Sequence, residues 1–296
     1  MRLVMMGTGP FGLPAFRALY EAGHDVAALV TAPVKPRGKR PPPARPIRRI
    51  AQEHGTPIFD PEDVNRESCR ARLRAYEADL LVVCDYGQIL RAETLGTARL
   101  GGVNLHGSLL PKYRGAAPVH WALYHGETET GVSVIHMTPR VDAGPVIAQA
   151  CTPIAEEETA EELEARLSEL GAPFVLKAIE ALETGTVEEY VQDPTQASKA
   201  PRLKKSDGLV DWTRPAEAIR NQVRAMEPWP KSYTFWHRLN GPSVRLILGP
   251  VAVADFSDPA APPGTVLEAC GDRITVASGE GAVVLRKIQP AGKRML

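Results

Sequence analysis

The chain has 296 residues, 44% of them hydrophobic and 24% charged, and its 35 Lys+Arg balance its 35 Asp+Glu. That composition belongs to a globular protein large enough for one large or two medium domains. It excludes a global electrostatic pull toward nucleic acid, so any such attraction must be local. No run of about 18 apolar residues offers a membrane span, and the N-terminus has no apolar stretch of signal-peptide length. The four cysteines, Cys69, Cys84, Cys151 and Cys270, form no C-x-x-C pair, so no metal is expected. Cys84 and Cys151 lie in apolar runs and read as core thiols in a reducing cytoplasm.

In chain order, "RLVMMG" reads as a buried strand, and "GTGPFGLPAFRALYEAG" breaks and becomes helical, with Phe16, Leu19 and Tyr20 at helical spacing. "DVAALVTA", "ADLLVVCDYG" and "GGVNLHG" are further strands, and "RESCRARLRAYEA" is a helix between them. Alternating strands and helices predict a doubly wound α/β domain with a crevice at the carboxyl ends of its strands. "TGVSVIHM" and "GPVIAQACTPI" are two more strands, joined by "TPRVDAG". Thr159 to Glu162 form a capping box that opens a helix with Leu163, Leu167 and Leu170 on one face; the helical pattern resumes after Pro173. Residues 188–205 are polar and irregular and read as a linker. Beyond it lie one helix, with Ile219, Val223 and Met226 on its buried face, and a series of short strands with Gly and Asp turns. These strands predict a small all-β domain of the open-barrel, OB-like type.

Gly7, Gly9 and Gly12 form a G-x-G-x-x-G pattern, but no acid ends the second strand. The turn therefore reads as strand–helix packing rather than dinucleotide binding. "NLHGSLLP" is more informative. Asn104 and His106 are two apart, so on a strand they share one face. From that pair alone a hydrogen-bonded buried pair without chemistry is the commoner outcome. Asp142, in the turn "RVDAG", could reach His106 across the crevice, fix its tautomer and raise its pKa, while Asn104 could donate to a developing oxyanion. Such a set, with no nucleophile, suits direct acyl transfer between two bound molecules, one possibility among several.

"NLHGSLLPKYRGAAPVHWAL" followed by "ETGVSVIHMTPRVDAGPVI" resembles the formyltransferase family that uses 10-formyltetrahydrofolate, and the likeness runs from Gly7 to Leu296. The resemblance implies a Rossmann-like catalytic domain over residues 1–187, the linker at 188–205, and an OB-like tRNA-binding domain over 206–296. It implies Asn104, His106 and Asp142 as catalytic residues, and Ser108, Leu109, Leu110, Pro111, Tyr86 and Gly87 as contacts of the folate co-substrate, with no metal. "APRLKKSDGLVDW", "EPWP" and "IQPAGKRML" narrow the likeness to the branch whose members formylate the amino group of initiator methionyl-tRNA; a cytoplasmic monomer without membrane contact is expected. Sister enzymes acting on an amino-sugar nucleotide or a glycinamide ribonucleotide, and a formyltetrahydrofolate hydrolase, are the alternatives. Residues 35–49 hold seven cations, six prolines lie between 33 and 46, and the stretch reads as an extended arm for phosphates. Within it Arg37, Lys39 and Arg40 best match the family's basic tRNA-binding loop. Arg220 and Arg224, with Lys204 and Lys205, are candidates for a second basic face, weighed evenly against ordinary solvated charge. Two positions depart from the family pattern: Gly9 is extra in the first turn, and Asp85 stands where alanine is common.

Overall fold

The computed structural model describes residues 1–34, 45–238, 240–255, 258, 260–271, 273–290 and 292–294. The chain divides into two compact units: residues 1–118, 129–152 and 164–201 form the first, and 119–128, 153–163 and 202–296 the second.

The first unit opens with β1 (Arg2–Gly7), α1 (Leu13–Glu21), β2 (Asp25–Val30), α2 (Pro46–Glu53) and β3 (Ile58–Phe59). It continues with α3 (Glu67–Arg74), β4 (Leu80–Cys84), α4 (Ala92–Leu95), β5 (Gly102–His106) and the short β6 (Arg114–Gly115). Next in the chain is α5 (Pro118–Tyr124), nearly all of which belongs to the second unit; the first unit resumes with β7 (Glu129–His136), β8 (Val146–Pro153), most of α6 (Ala160–Thr184) and β9 (Lys199–Ala200). The sheet order is β3-β2-β1-β4-β5-β7-β8. The first five of these strands pair in parallel, and β7 is antiparallel to β5. Near-continuous apolar strands such as Leu80–Cys84 are buried throughout because helices cover both faces of a parallel sheet. The strand order reverses between β1 and β4, which places a ligand crevice at their carboxyl ends.

The second unit contains α7 (Ala216–Ala225) and the strands β10 (Tyr233–Trp236), β11 (Val244–Leu248), β12 (Val251–Val253), β13 (Val266–Cys270), β14 (Arg273–Ala277), β15 (Ala282–Leu285) and β16 (Ile288–Pro290). The strands are antiparallel and form two sheets, β10-β11-β16 and β12-β15-β14-β13. Ile219 and Val223 of α7 pack with Leu248, Val251, Val276 and Val283. The amphipathic stripe read from sequence is thus the face that closes this core.

Three local readings are corrected. The helix over 160–184 runs unbroken through Pro173. Pro173 is exposed, so the carbonyl it leaves without a helical partner faces water, while Leu167, Val175, Ala178 and Ile179 stay buried. Cys151 is exposed rather than a core thiol, because β8 is an edge strand and one of its faces meets solvent. Residues 46–49 of the basic stretch are the first turn of α2, not an arm. There Pro46 takes a position whose N–H has no helical partner in any case. Arg48 pairs with Asp60, Arg49 Nε lies 2.8 Å from Glu53, and Arg45 donates to the carbonyls of Ala32 and Pro33.

Candidate active site

Asn104 and His106 sit on one face of β5, which is hydrogen-bonded to β4 on one side and β7 on the other. Leu105, between them, points the opposite way, onto Gly171 of α6; a Cβ at 171 would stand 2.7 Å from a Leu105 methyl. His106 is 5% exposed. Its Nε2 lies 2.9 Å from the carbonyl oxygen of Tyr113. A carbonyl can only accept, so Nε2 carries the hydrogen, and in the neutral ring Nδ1 holds the lone pair. Nδ1 faces Asp142, 3.7 Å from Oδ2. The sequence reading had Asp142 fixing the tautomer; the Tyr113 carbonyl does so instead. Asp142 stands by the other nitrogen, where it stabilises a proton once one arrives.

Asp142 has φ of 48°, in the left-handed region. Gly115 N–H donates to its Oδ2 at 2.9 Å, and the Asn104 amide lies 3.5 Å from its Oδ1. Its loop is held from behind. Gln192, buried at 5% exposure, donates to the carbonyls of Asp142 at 2.9 Å and Gly144 at 2.7 Å. The Gln192 carbonyl oxygen in turn accepts from Arg114 Nε at 3.0 Å and Nη2 at 2.7 Å. Arg114 and Gly115 form β6, which pairs in parallel with β9. Gly115 has φ of 130°, and a Cβ there would meet the Ala200 carbonyl at 2.4 Å, so glycine is required. Sequence reasoning missed Tyr113, Gly115 and Gln192 as supports; Gln192 falls in the stretch read as linker, where nothing local marks it.

The loop after β5 is built inward. Ser108 and Leu110 are buried. Ser108 Oγ donates to Lys112 O at 2.7 Å, Ser133 Oγ donates to Ser108 O at 2.6 Å, and Leu110 N donates to Ser133 Oγ at 3.0 Å. Gln149 Nε2 donates to Leu110 O at 3.1 Å and to Ser133 Oγ at 2.8 Å. Leu109 and Pro111 are half-buried. These four residues therefore shape the loop beside His106, and two of their side chains are already engaged. The Tyr86 ring is likewise 3% exposed inside the core cluster with Met6 and Val83, and burial pushes its phenol above the usual range. Its carbonyl accepts from Thr8 Oγ1 at 3.0 Å, so Tyr86 is engaged by the protein at both ring and backbone. Gly87, at φ 87°, is exposed with no atom within 4 Å of where a Cβ would sit, so a flat heterocycle has room against the backbone there.

The basic residues divide. Arg37, Lys39 and Arg40 lie outside the described residues. Arg220 is paired with Glu156 at 2.7 Å and Glu217 at 2.9 Å, and Arg224 donates to Ala155 O at 3.0 Å. Both guanidiniums have protein partners within the second unit, which fits neither a free basic face nor ordinary solvated charge. His136 is a structural residue, with Nδ1 at 2.9 Å from Glu189 and Nε2 at 3.0 Å from Leu100 O. Among the described residues no group of three or more His, Cys, Asp or Glu is placed to hold a metal, and no helix is long and apolar enough to cross a membrane.

The family profile described as "Formyl transferase" matches residues 1–179, and "Formyl transferase, C-terminal domain" matches 202–296. The chain belongs to the formyltransferase family. Among this formyltransferase's relatives, the methionyl-tRNA formyltransferase of Rhodopirellula baltica is 44% identical over 99% of this chain and 91% of its own length. That of Solibacter usitatus is 41% identical over 100% and 93%. Among solved structures, the N-formyltransferase of Helicobacter canadensis, in complex with folinic acid and dTDP-3-aminofucose, superposes with a TM-score of 0.71 at 16% identity over 97% and 98% of the two chains. It shows the shared fold alone. Glycinamide ribonucleotide transformylase 1 of Symbiobacterium toebii superposes with a TM-score of 0.54 at 27% identity, covering 65% of this chain and 94% of its own.

The two departures of this formyltransferase from the family pattern meet in space. Asp85, at the end of β4, has φ of 48°, and its carbonyl accepts from Thr8 N at 3.0 Å and Gly9 N at 3.4 Å. Its carboxyl lies where a Cβ of residue 9 would stand, 1.6 Å from Asp85 Oδ2. Gly9 makes room for Asp85. The residue is exposed overall, but its carboxyl is crowded against this turn, and desolvation pushes its pKa up to about 6.

Proposed function

We propose that the chain transfers the formyl group of 10-formyltetrahydrofolate to the α-amine of initiator methionyl-tRNA. The observation that carries this reading is the full-length identity of 37–44% to methionyl-tRNA formyltransferases, spanning catalytic and C-terminal parts alike. The convergence of Asn104, His106 and Asp142 supports it. The reading divides the chain into a catalytic domain at 1–187, a linker at 188–205 and a tRNA-binding domain at 206–296, with Arg37, Lys39 and Arg40 on the acceptor stem.

The amine nitrogen attacks the formyl carbon, and the carbonyl oxygen takes the electron pair. The Asn104 amide has one N–H toward Asp142 and a second for that oxyanion. Neutral His106 has its only N–H on Tyr113, so Nδ1 accepts the proton the amine sheds. The resulting imidazolium is satisfied on both sides, by the Tyr113 carbonyl and the Asp142 carboxylate, and can then donate toward the oxyanion. As the C–N10 bond breaks, the same proton passes to N10. One proton leaves the amine and one reaches the folate, so the histidine returns to its starting state. Ser108 to Pro111 shape the wall beside His106, and the backbone at Gly87, held by buried Tyr86 before it, offers the surface for the pteridine.

Purified protein is incubated with 10-formyltetrahydrofolate and methionyl-tRNA, and released amino acids are separated. Formyl-methionine is expected. No formyl-methionine, with formylation of an amino-sugar nucleotide or formate released by water instead, refutes the assignment.

A further inference from the structure

The catalytic set leaves the glycine-rich turn after β1 unused, although its G-x-G-x-x-G spacing is that of a phosphate cradle. In such a cradle the first glycine makes the turn tight, the second lets a phosphate approach the backbone, and the third packs helix on strand. Two of these roles are met here. A Cβ at Gly7 would stand 2.9 Å from the Cys84 carbonyl oxygen, and one at Gly12 3.3 Å from Cys84 Cβ, so both glycines seat the turn against β4. The second glycine differs. The space over Gly9, where a phosphate would approach, holds the Asp85 carboxyl: a Cβ at position 9 would lie 1.6 Å from Oδ2. Gly9 has φ of −86°, which any residue adopts, so the space and not the backbone calls for glycine. The Asp85 carbonyl also takes the donors of the turn, Thr8 N at 3.0 Å and Gly9 N at 3.4 Å, and Pro10 has no N–H to offer.

A carboxylate seated where a phosphate would bind excludes it twice, by volume and by charge. Only β4 separates β1 from β5 in the sheet, so the turn after β1 is two strand spacings, about 10 Å, from the end of β5. A small amine that carries a phosphate spans that gap, with its phosphate at Gly9 and its nitrogen at His106. We infer that Asp85 is a specificity-determining residue that closes the first turn to small phosphorylated amines. The inference rests on methionyl-tRNA being the acceptor: its amine arrives on an ester of the terminal ribose and needs no phosphate at this turn. A glycinamide ribonucleotide, whose amine and phosphate flank one ribose, belongs to the excluded class. The two positions that depart from the family pattern, Gly9 and Asp85, thus form one device, the carboxyl as the plug and the glycine as its seat.

The test uses full-length protein with ribose 5-phosphate as the probe. In calorimetry Asp85→Gly binds it about tenfold or more tightly than wild type, as expected for one charge-assisted hydrogen bond from the loosely held Gly9 N–H. Asp85→Ala, which installs the residue common at this position, gives the same gain. Gly9→Ala in the Asp85→Gly background puts a methyl into the emptied space and returns the affinity to the wild-type level. In steady state ribose 5-phosphate inhibits formylation by Asp85→Gly at concentrations that leave wild type untouched. Equal affinity in wild type, Asp85→Gly and Asp85→Ala overturns the inference. So does a gain that persists in the Gly9→Ala, Asp85→Gly double variant, because the phosphate then binds away from the turn. The full pattern of gain and loss in a protein that makes no formyl-methionine supports the plug and removes methionyl-tRNA as acceptor.

Discussion

Replacing Gly9 by alanine tests whether the turn after β1 and Asp85 are one coupled feature. Gly9 has φ −86° and ψ 178°, which alanine adopts freely, so the backbone carries no penalty. The cost is steric. The new methyl would lie 1.6 Å from Asp85 Oδ2 and 2.7 Å from its Cγ, against ordinary contacts of 3.4–4 Å. Asp85 cannot retreat as a unit, because its carbonyl is tied to Thr8 N and Gly9 N. Relief requires rotation of a short side chain on a left-handed backbone, or movement of the turn. Overpacking of this kind costs about 1–3 kcal/mol. Asp85→Gly removes the obstruction and suits the positive φ. In that background Gly9→Ala should cost less than about 0.5 kcal/mol, a coupling of at least about 0.5 kcal/mol. Tryptophan emission does not report this, because Trp121, Trp212, Trp229 and Trp236 all belong to the second unit. Hydrogen exchange at the β1 and β4 amides, read as free energy of opening, does. Equal cost of Gly9→Ala with and without the Asp85 side chain refutes the coupling.

Asp85 also sets a pH dependence. Its folded pKa, about 6, is above the ordinary 3.8, so the folded state binds the proton more tightly. Its contribution to stability therefore declines as pH rises between these values and is flat above; the difference in stability between wild type and Asp85→Asn should slope over that window, and a flat difference would contradict the crowded carboxyl. Asn104→Ala, His106→Ala and Asp142→Ala are each expected to lower turnover by roughly two or more orders of magnitude with little loss of stability. Wild-type turnover in Asp142→Ala with donor binding intact would remove it from the catalytic set. Gln192→Ala deprives the carbonyls of Asp142 and Gly144 of their donor and frees Arg114, which should lower kcat about tenfold or more while donor KM moves less. Conversely, kcat at the wild-type level would show that the Asp142 turn holds its shape without the clamp.

Where information was local, the sequence was a sufficient guide. The alternation of apolar runs and helical patterns announced the parallel sheet, because side-chain period and strand length are written in consecutive residues. The Thr159–Glu162 box is present, with Glu162 Oε2 accepting from Thr159 N at 2.9 Å, because its partners are three residues apart. The two-residue spacing of Asn104 and His106 put them on one face for the same reason, and the family resemblance supplied Asp142 as their companion. Tertiary structure decided the rest. The helix survives Pro173 because burial of its opposite face outweighs one lost bond, a balance that depends on what packs there. Arg220 and Arg224 are consumed by residues 153–163, far from them in the chain. The partner of His106 Nε2 is a backbone carbonyl, which every residue possesses and no motif marks. The clamp on Asp142 joins positions 50 and 78 residues apart. Such contacts form only after the sheet has brought distant loops to one edge, so their geometry is a property of the packed fold and not of any stretch of sequence.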